Sequence, residues 1–155
     1  MTITIIEAIA QDLESAAGFL GHFLTTTEAD RLNWKPKAEG CDSKTRSAME
    51  LVSECTYVNL RTAAALRGEA YAGELPVFGS AEEARDALVA SAKVCADEIR
   101  NQDESVFDRK FQMPWGEVDG NFLLGITRAN MHYHNGQINY IQCLYGDDVF
   151  HVPGR

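Results

Sequence analysis

Four stretches of this 155-residue chain repeat apolar residues at three- and four-residue steps, and such amphipathic helices are stable only when packed against one another. In the first, Ile6, Ile9, Leu13, Ala16, Leu20 and Phe23 share one stripe of a helix expected from Ile5 to Thr25. A Thr4–Glu7 capping box opens it, and the run Thr25-Thr26-Thr27 ends it. The second is expected from Lys44 to Arg67, with Asp42 or Ser43 as cap and Gly68 as stop. The third runs from Ala81 to Asn101 behind a Ser80–Glu83 capping box, with Ala84, Ala87, Leu88, Ser91, Val94, Cys95 and Ile99 as its inner face. The fourth runs from Gly120 to Tyr145, between Asp119 as cap and Gly146 as stop. Rods of this kind bury their stripes together, so the expected fold is all-α, a four-helix bundle in one domain over residues 1–155.

Between the third and fourth helices, Phe107, Phe111, Met113 and Trp115 cluster around Pro114 and Gly116. This is a short hairpin or an aromatic loop plugging one bundle end, and some strand is expected. The second helix spans roughly 36 Å at ~1.5 Å per residue, and the 69–79 link reaches that far at ~3.3 Å per residue. Simple antiparallel and up-down-down-up orders both satisfy these lengths.

Hydrophobic residues make up 45% of the chain, enough for a core without disulfide or metal staples. The net charge of −9, from 23 acidic and 14 basic residues, repels phosphate backbones and argues against nucleic acid as a partner. Lys35, Lys37, Lys44 and Arg46 are diluted by Glu39 and Asp42 and form no basic patch. The apolar N-terminal stretch is broken by Glu7, Gln11, Asp12 and Glu14, so neither a signal peptide nor a membrane span is expected, and the cytoplasm is the expected compartment. Cys41, Cys55, Cys95 and Cys143 include no CxxC pair and read as small buried hydrophobes.

Polar residues interrupt two of the stripes. On the second helix Ser47, Leu51, Glu54, Val58 and Ala65 fall in one arc with Glu54 at its middle, where a carboxylate must be paired, protonated or metal-bound. On the fourth, Leu123, Ile126, Asn130, His134, Gln137, Ile141 and Leu144 share a face, with Asn130 and His134 at i, i+4. If both stripes face the bundle axis, Glu54, Asn130 and His134 converge on one buried site. Blander readings stand beside this one: Glu54 paired with Arg61 or Arg128, and His134 a satisfied core histidine with Asn130 as its partner. His22, His132 and His151 fall off the stripes and are not site candidates.

These segments resemble the DinB-like (DinB/YfiT-like) family of metal-dependent bacterial proteins. Leu32-Asn33-Trp34-Lys35-Pro36 is similar to its Trp-x-Pro segment, Ser47 to Glu54 to its second-helix signature, and Asn130 to Ile138 to its fourth-helix signature ending in His-x-Gly-Gln. The resemblance covers nearly the whole chain. It implies an up-down-down-up bundle, often a homodimer, holding a divalent metal with three histidines and using it with a low-molecular-weight thiol. Of those three positions only His134 keeps its histidine; Glu54 and Asn130 stand at the others. Glu54, Asn130 and His134 are thus the expected ligands for Zn, Ni, Mn or Fe, held more weakly than by three imidazoles.

Two functions follow as expectations. In the first, the metal activates a thiol or water for transfer to a small electrophile, an S-transferase or hydrolase-like activity. Glu54 then ligates or acts as general base, Gln137 orients a ligand, and Trp115 and Tyr133 wall the pocket. In the second, the metal site has decayed to a Glu–His–Asn network and the protein binds a small molecule or a protein partner without catalysis.

Overall fold

The computed structural model describes residues 3–37 and 45–154. Four helices carry the fold: α1 (Ile5–Thr25), α2 (Ala48–Arg67), α3 (Ala81–Arg100) and α4 (Gly120–Leu144). A 3-10 turn (Glu104–Phe107) and a hairpin of β1 (Lys110–Met113) and β2 (Gly116–Asp119) stand between α3 and α4. The all-α four-helix expectation holds, and so does the short hairpin.

Side-chain pairs fix the helix directions. Arg100, ending α3, reaches Glu7 and Glu14 at the start of α1, so these two run antiparallel. Asn59 meets Ser91 and Arg67 meets Glu98, so α2 and α3 are parallel. Asp12 meets Arg128, and Gln142 donates to the Phe23 carbonyl, so α1 and α4 are parallel. Thr62 lies 2.9 Å from Thr127, which makes α2 and α4 antiparallel. The order is up-down-down-up, with α1 and α2 on one diagonal of the bundle and α3 and α4 on the other.

The stripe of α1 is buried as its periodicity predicts, from Ile6 through Phe23. Helix α2 departs from expectation in two ways. Of its expected start, Lys44 and the cap positions Asp42 and Ser43 lie outside the described residues, as does Cys41. The helix begins at Ala48 behind a complete capping box: the Glu50 amide donates to Ser47 Oγ, and the Ser47 amide donates to Glu50 Oε2. Its buried face is Ala48, Val52, Cys55, Asn59, Thr62 and Leu66, not the arc centred on Glu54. On α3, Val94 is exposed, and Ala92 and Ala96 fill the inner face instead. Cys55 and Cys95 are buried as expected, whereas Cys143 is exposed. Burial pushes the Cys95 thiol up to about 12 and raises that of Cys55 further, so neither is a nucleophile at neutral pH.

The hairpin plugs the bundle end where α2 stops. Phe111 and Met113 alternate inward along β1, and the Arg109 guanidinium donates to the Leu66 carbonyl. Gly120 packs so tightly on the 3-10 turn that a methyl group there would collide with the Val106 carbonyl oxygen. At the other end Trp34 meets Tyr145 edge-on, with ring centroids 6.0 Å apart. Gln142 ties α4 to the α1 terminus through Phe23, Thr26 and Thr27.

Two substitutions test this framework by chemical denaturation. Ser47→Ala should lower stability by about 1 kcal/mol through loss of the cap. Gly120→Ala should cost more, roughly 1–3 kcal/mol, because the backbone carbonyl it meets cannot rotate away.

Candidate functional site

Antiparallel packing brings the N-terminal half of α2 beside the C-terminal half of α4. A cavity of about 480 Å³ opens between them, lined by Glu54, Asn130, Tyr133, His134 and Gln137 together with Arg46, Leu51, Tyr140 and Ile141. Of the residues singled out from the sequence, all but Trp115 line it. Trp115 sits on the hairpin turn, 54% exposed, with the Arg61 guanidinium 4.4 Å from its ring centroid. It walls nothing here, because the hairpin covers the opposite end of the bundle.

His134 is the best defined of the group. It is 5% exposed, and its Nδ1 lies 2.5 Å from Gln137 Oε1 one turn along α4. An amide oxygen only accepts, so Nδ1 carries the proton and donates, and Nε2 of the neutral ring is a bare lone pair. That atom is buried with no hydrogen-bond partner, and 3.8 Å away is Glu54 Oε1. Burial lowers the His134 pKa from its ordinary 6.5, and the charge of Arg46 lowers it further, against the opposing pull of Gln137. Burial decides the balance and favours the neutral imidazole. His134 Nε2 is thus an acceptor that a donor in the cavity can satisfy.

Glu54 lies at the rim of the α2 face, its side chain 26% exposed, and its Oε2 is held by the Arg46 guanidinium. Neither partner weighed from the sequence is used: Arg61 stacks on Tyr57 and Trp115, and Arg128 pairs with Asp12. Asn130 is half-buried and turns its amide nitrogen to Cys55 Sγ at 3.7 Å. Two of the three expected ligands therefore face each other, while the third is engaged elsewhere. Among the described residues no group of three or more His, Cys, Asp or Glu side chains is placed to hold a metal ion. With a guanidinium already on Glu54 and a neutral amide at the third position, these residues do not fit a three-ligand divalent site.

The remaining histidines stand apart from the cavity. His132 is exposed beside Asp12, His151 pairs with Asp147 at 2.7 Å, and His22 packs edge-on against Phe23.

Arg46 and Tyr140 escaped sequence reasoning. Arg46, wound into the helix by the expected start at Lys44, in fact precedes the Ser47 cap and reaches Glu54 from outside the helix. Tyr140 is 65% exposed and belongs to the outer face of α4, of which only one edge borders the cavity.

A scan against models of known protein families finds no match, and no curated protein matches the chain significantly. Among the described residues, no helix is long and apolar enough to cross a membrane.

The depressed His134 pKa has a signed consequence. As pH falls through 6.5, the ordinary value, the unfolded chain takes up the proton first, so stability is lost from there down to the folded-state pKa. Carboxylates held low by partners, such as Glu7 beside Arg100, act only in a more acid range below 4.5. Urea midpoints measured between pH 7.5 and pH 5 should therefore fall for the wild type and fall less for His134→Gln. Equal slopes would mean that the imidazole titrates alike in both states.

Proposed function

We propose that this chain is a DinB-like bundle whose cavity between α2 and α4 binds a small molecule through a polar X–H group, with Arg46 taking the place of the family's metal cation on Glu54. One observation carries this reading: His134 Nε2 is buried, unpartnered and fixed by Gln137 as an acceptor at the cavity wall. An acceptor left unsatisfied there costs about 1–3 kcal/mol, which a bound donor recovers. The volume lies in the range of small-ligand pockets, roughly 300–1,000 Å³, and Tyr133, Tyr140, Leu51 and Ile141 supply an apolar wall.

The chemistry follows from the protonation state. A neutral imidazole accepts the proton of a bound thiol, alcohol or phenol, which makes His134 rather than Glu54 the general base. Glu54, already matched by Arg46, stands 3.8 Å from His134 Nε2 and orients the donor beside it. A low-molecular-weight thiol, the co-substrate the resemblance implies, is one member of this ligand class. The resemblance rests on the Trp34-Lys35-Pro36, Ser47–Glu54 and Asn130–Ile138 segments.

Two measurements test the proposal. Protein purified without a metal-affinity tag should contain well under one Zn, Ni, Mn or Fe per chain. Small thiols, alcohols and phenols should shift the His134 ring resonances on titration, and His134→Gln should weaken their binding roughly tenfold or more. One metal per chain, lost in His134→Ala, would restore the three-ligand metal reading and overturn this one.

A further inference from the structure

Arg61 carries a charge that none of the described residues neutralises. Every other arginine among them reaches a carboxylate or a backbone carbonyl, in a chain with 23 acidic residues. Arg61 has neither, and its Nε is buried without a hydrogen-bond partner. Its guanidinium instead lies 5.1 Å from the ring centroid of Tyr57 and 4.4 Å from that of Trp115. Tyr57 is braced edge-on by Tyr71, with ring centroids 5.4 Å apart. Aromatic rings attract a cation without using its N–H groups, so they fix where the guanidinium sits and leave its donors open.

That guanidinium lines a second space, of about 430 Å³, between α2 and the link of residues 69–79. Ser53 Oγ donates to the Pro76 carbonyl at 2.5 Å and holds the link on the helix. Arg46 and Glu54 border this space as well as the cavity, and their charges answer each other. Glu74, on the link, is the remaining charge of the lining. It is exposed and has no ionic or hydrogen-bond partner among the described residues. One open guanidinium and one open carboxylate therefore line the same volume without pairing with each other. Val58 and Leu75 add aliphatic surface to it, Leu75 being 58% exposed.

We infer that this space binds a free α-amino acid with an aliphatic side chain, its carboxylate on Arg61, its ammonium on Glu74 and its side chain against Val58 and Leu75. Charge selects this class. A simple anion would meet Glu74 and a simple cation would meet Arg61, each a like-charge contact that a zwitterion avoids. A planar carboxylate also suits the guanidinium fork, whose buried Nε then gains an acceptor. The volume falls toward the small end of ligand pockets, roughly 300–1,000 Å³, as a free amino acid requires. His134 takes no part, so the inference does not rest on the binding role proposed for the cavity.

Calorimetric titration with L-leucine tests the site, with isocaproate and isoamylamine as the analogues that lack its ammonium and its carboxylate. Leucine should bind saturably, isocaproate roughly threefold or more weaker and isoamylamine roughly tenfold or more weaker. Arg61→Gln should weaken leucine roughly tenfold or more. Glu74→Gln, at an exposed position that leaves the fold intact, should weaken leucine roughly threefold yet tighten isocaproate, a reversal that a merely structural role does not produce. His134→Gln should leave leucine binding unchanged. No binding of leucine at its solubility limit, isocaproate as tight as leucine, binding that survives Arg61→Gln, or a loss on His134→Gln would each overturn the inference.

Discussion

Helices α2 and α4 run antiparallel, so the first half of one lies beside the last half of the other, and from those halves Glu54, Tyr133, His134, Gln137 and Tyr140 line the cavity. The surrounding fold holds this contact in place. Helix α1 lies diagonally across from α2 and α3 across from α4, Gln142 pins the end of α4 to α1, and the Ser47 cap sets where α2 begins. Shifting α4 by one residue would turn His134 by roughly 100°, away from Glu54. Core packing therefore positions the imidazole as firmly as any hydrogen bond does.

Within that frame, a guanidinium and a divalent ion place different demands on Glu54. A divalent ion needs several ligands that give up their water together, and an amide at one of the three positions weakens such a set. A guanidinium needs only one carboxylate and arrives on the chain itself. Arg46 on Glu54 matches the charge of the carboxylate without using His134, whose buried nitrogen stays open to a donor. On the reading proposed above, Glu54 is matched by Arg46 and His134 is the acceptor left for a ligand with a polar X–H group.

The sequence was most legible where polar and apolar residues alternate cleanly. Helix α1 is charged on one side and apolar on the other, and its stripe and both ends are where its periodicity puts them. Helix α4 carries one ionic residue, so hydrophobicity alone leaves its rotation open. The face chosen from the sequence, with Ile126, Asn130, Gln137 and Leu144, lies between its buried stripe and its exposed one. That seam borders the cavity, which is why the choice still found the site, although Ile126 and Leu144 are exposed. On α2 the opposite problem arose. Thr56, Asn59 and Thr62 are buried, their polarity hid the true core face, and the arc centred on Glu54 fell roughly 100° from it. Arg46 escaped the helical pattern because the expected start at Lys44 wound it into the helix, whereas the helix begins only at Ala48 and Arg46 meets Glu54 from outside it.

The central claim concerns one nitrogen: His134 Nε2 is an unprotonated acceptor at neutral pH, held so because the proton sits on Nδ1, which donates to Gln137 Oε1. Long-range nitrogen–proton NMR of the imidazole at pH 7 reads this directly. The account predicts a neutral ring with its proton on Nδ1 and a pKa below 6.5. A proton on Nε2, or an imidazolium at pH 7, would contradict it.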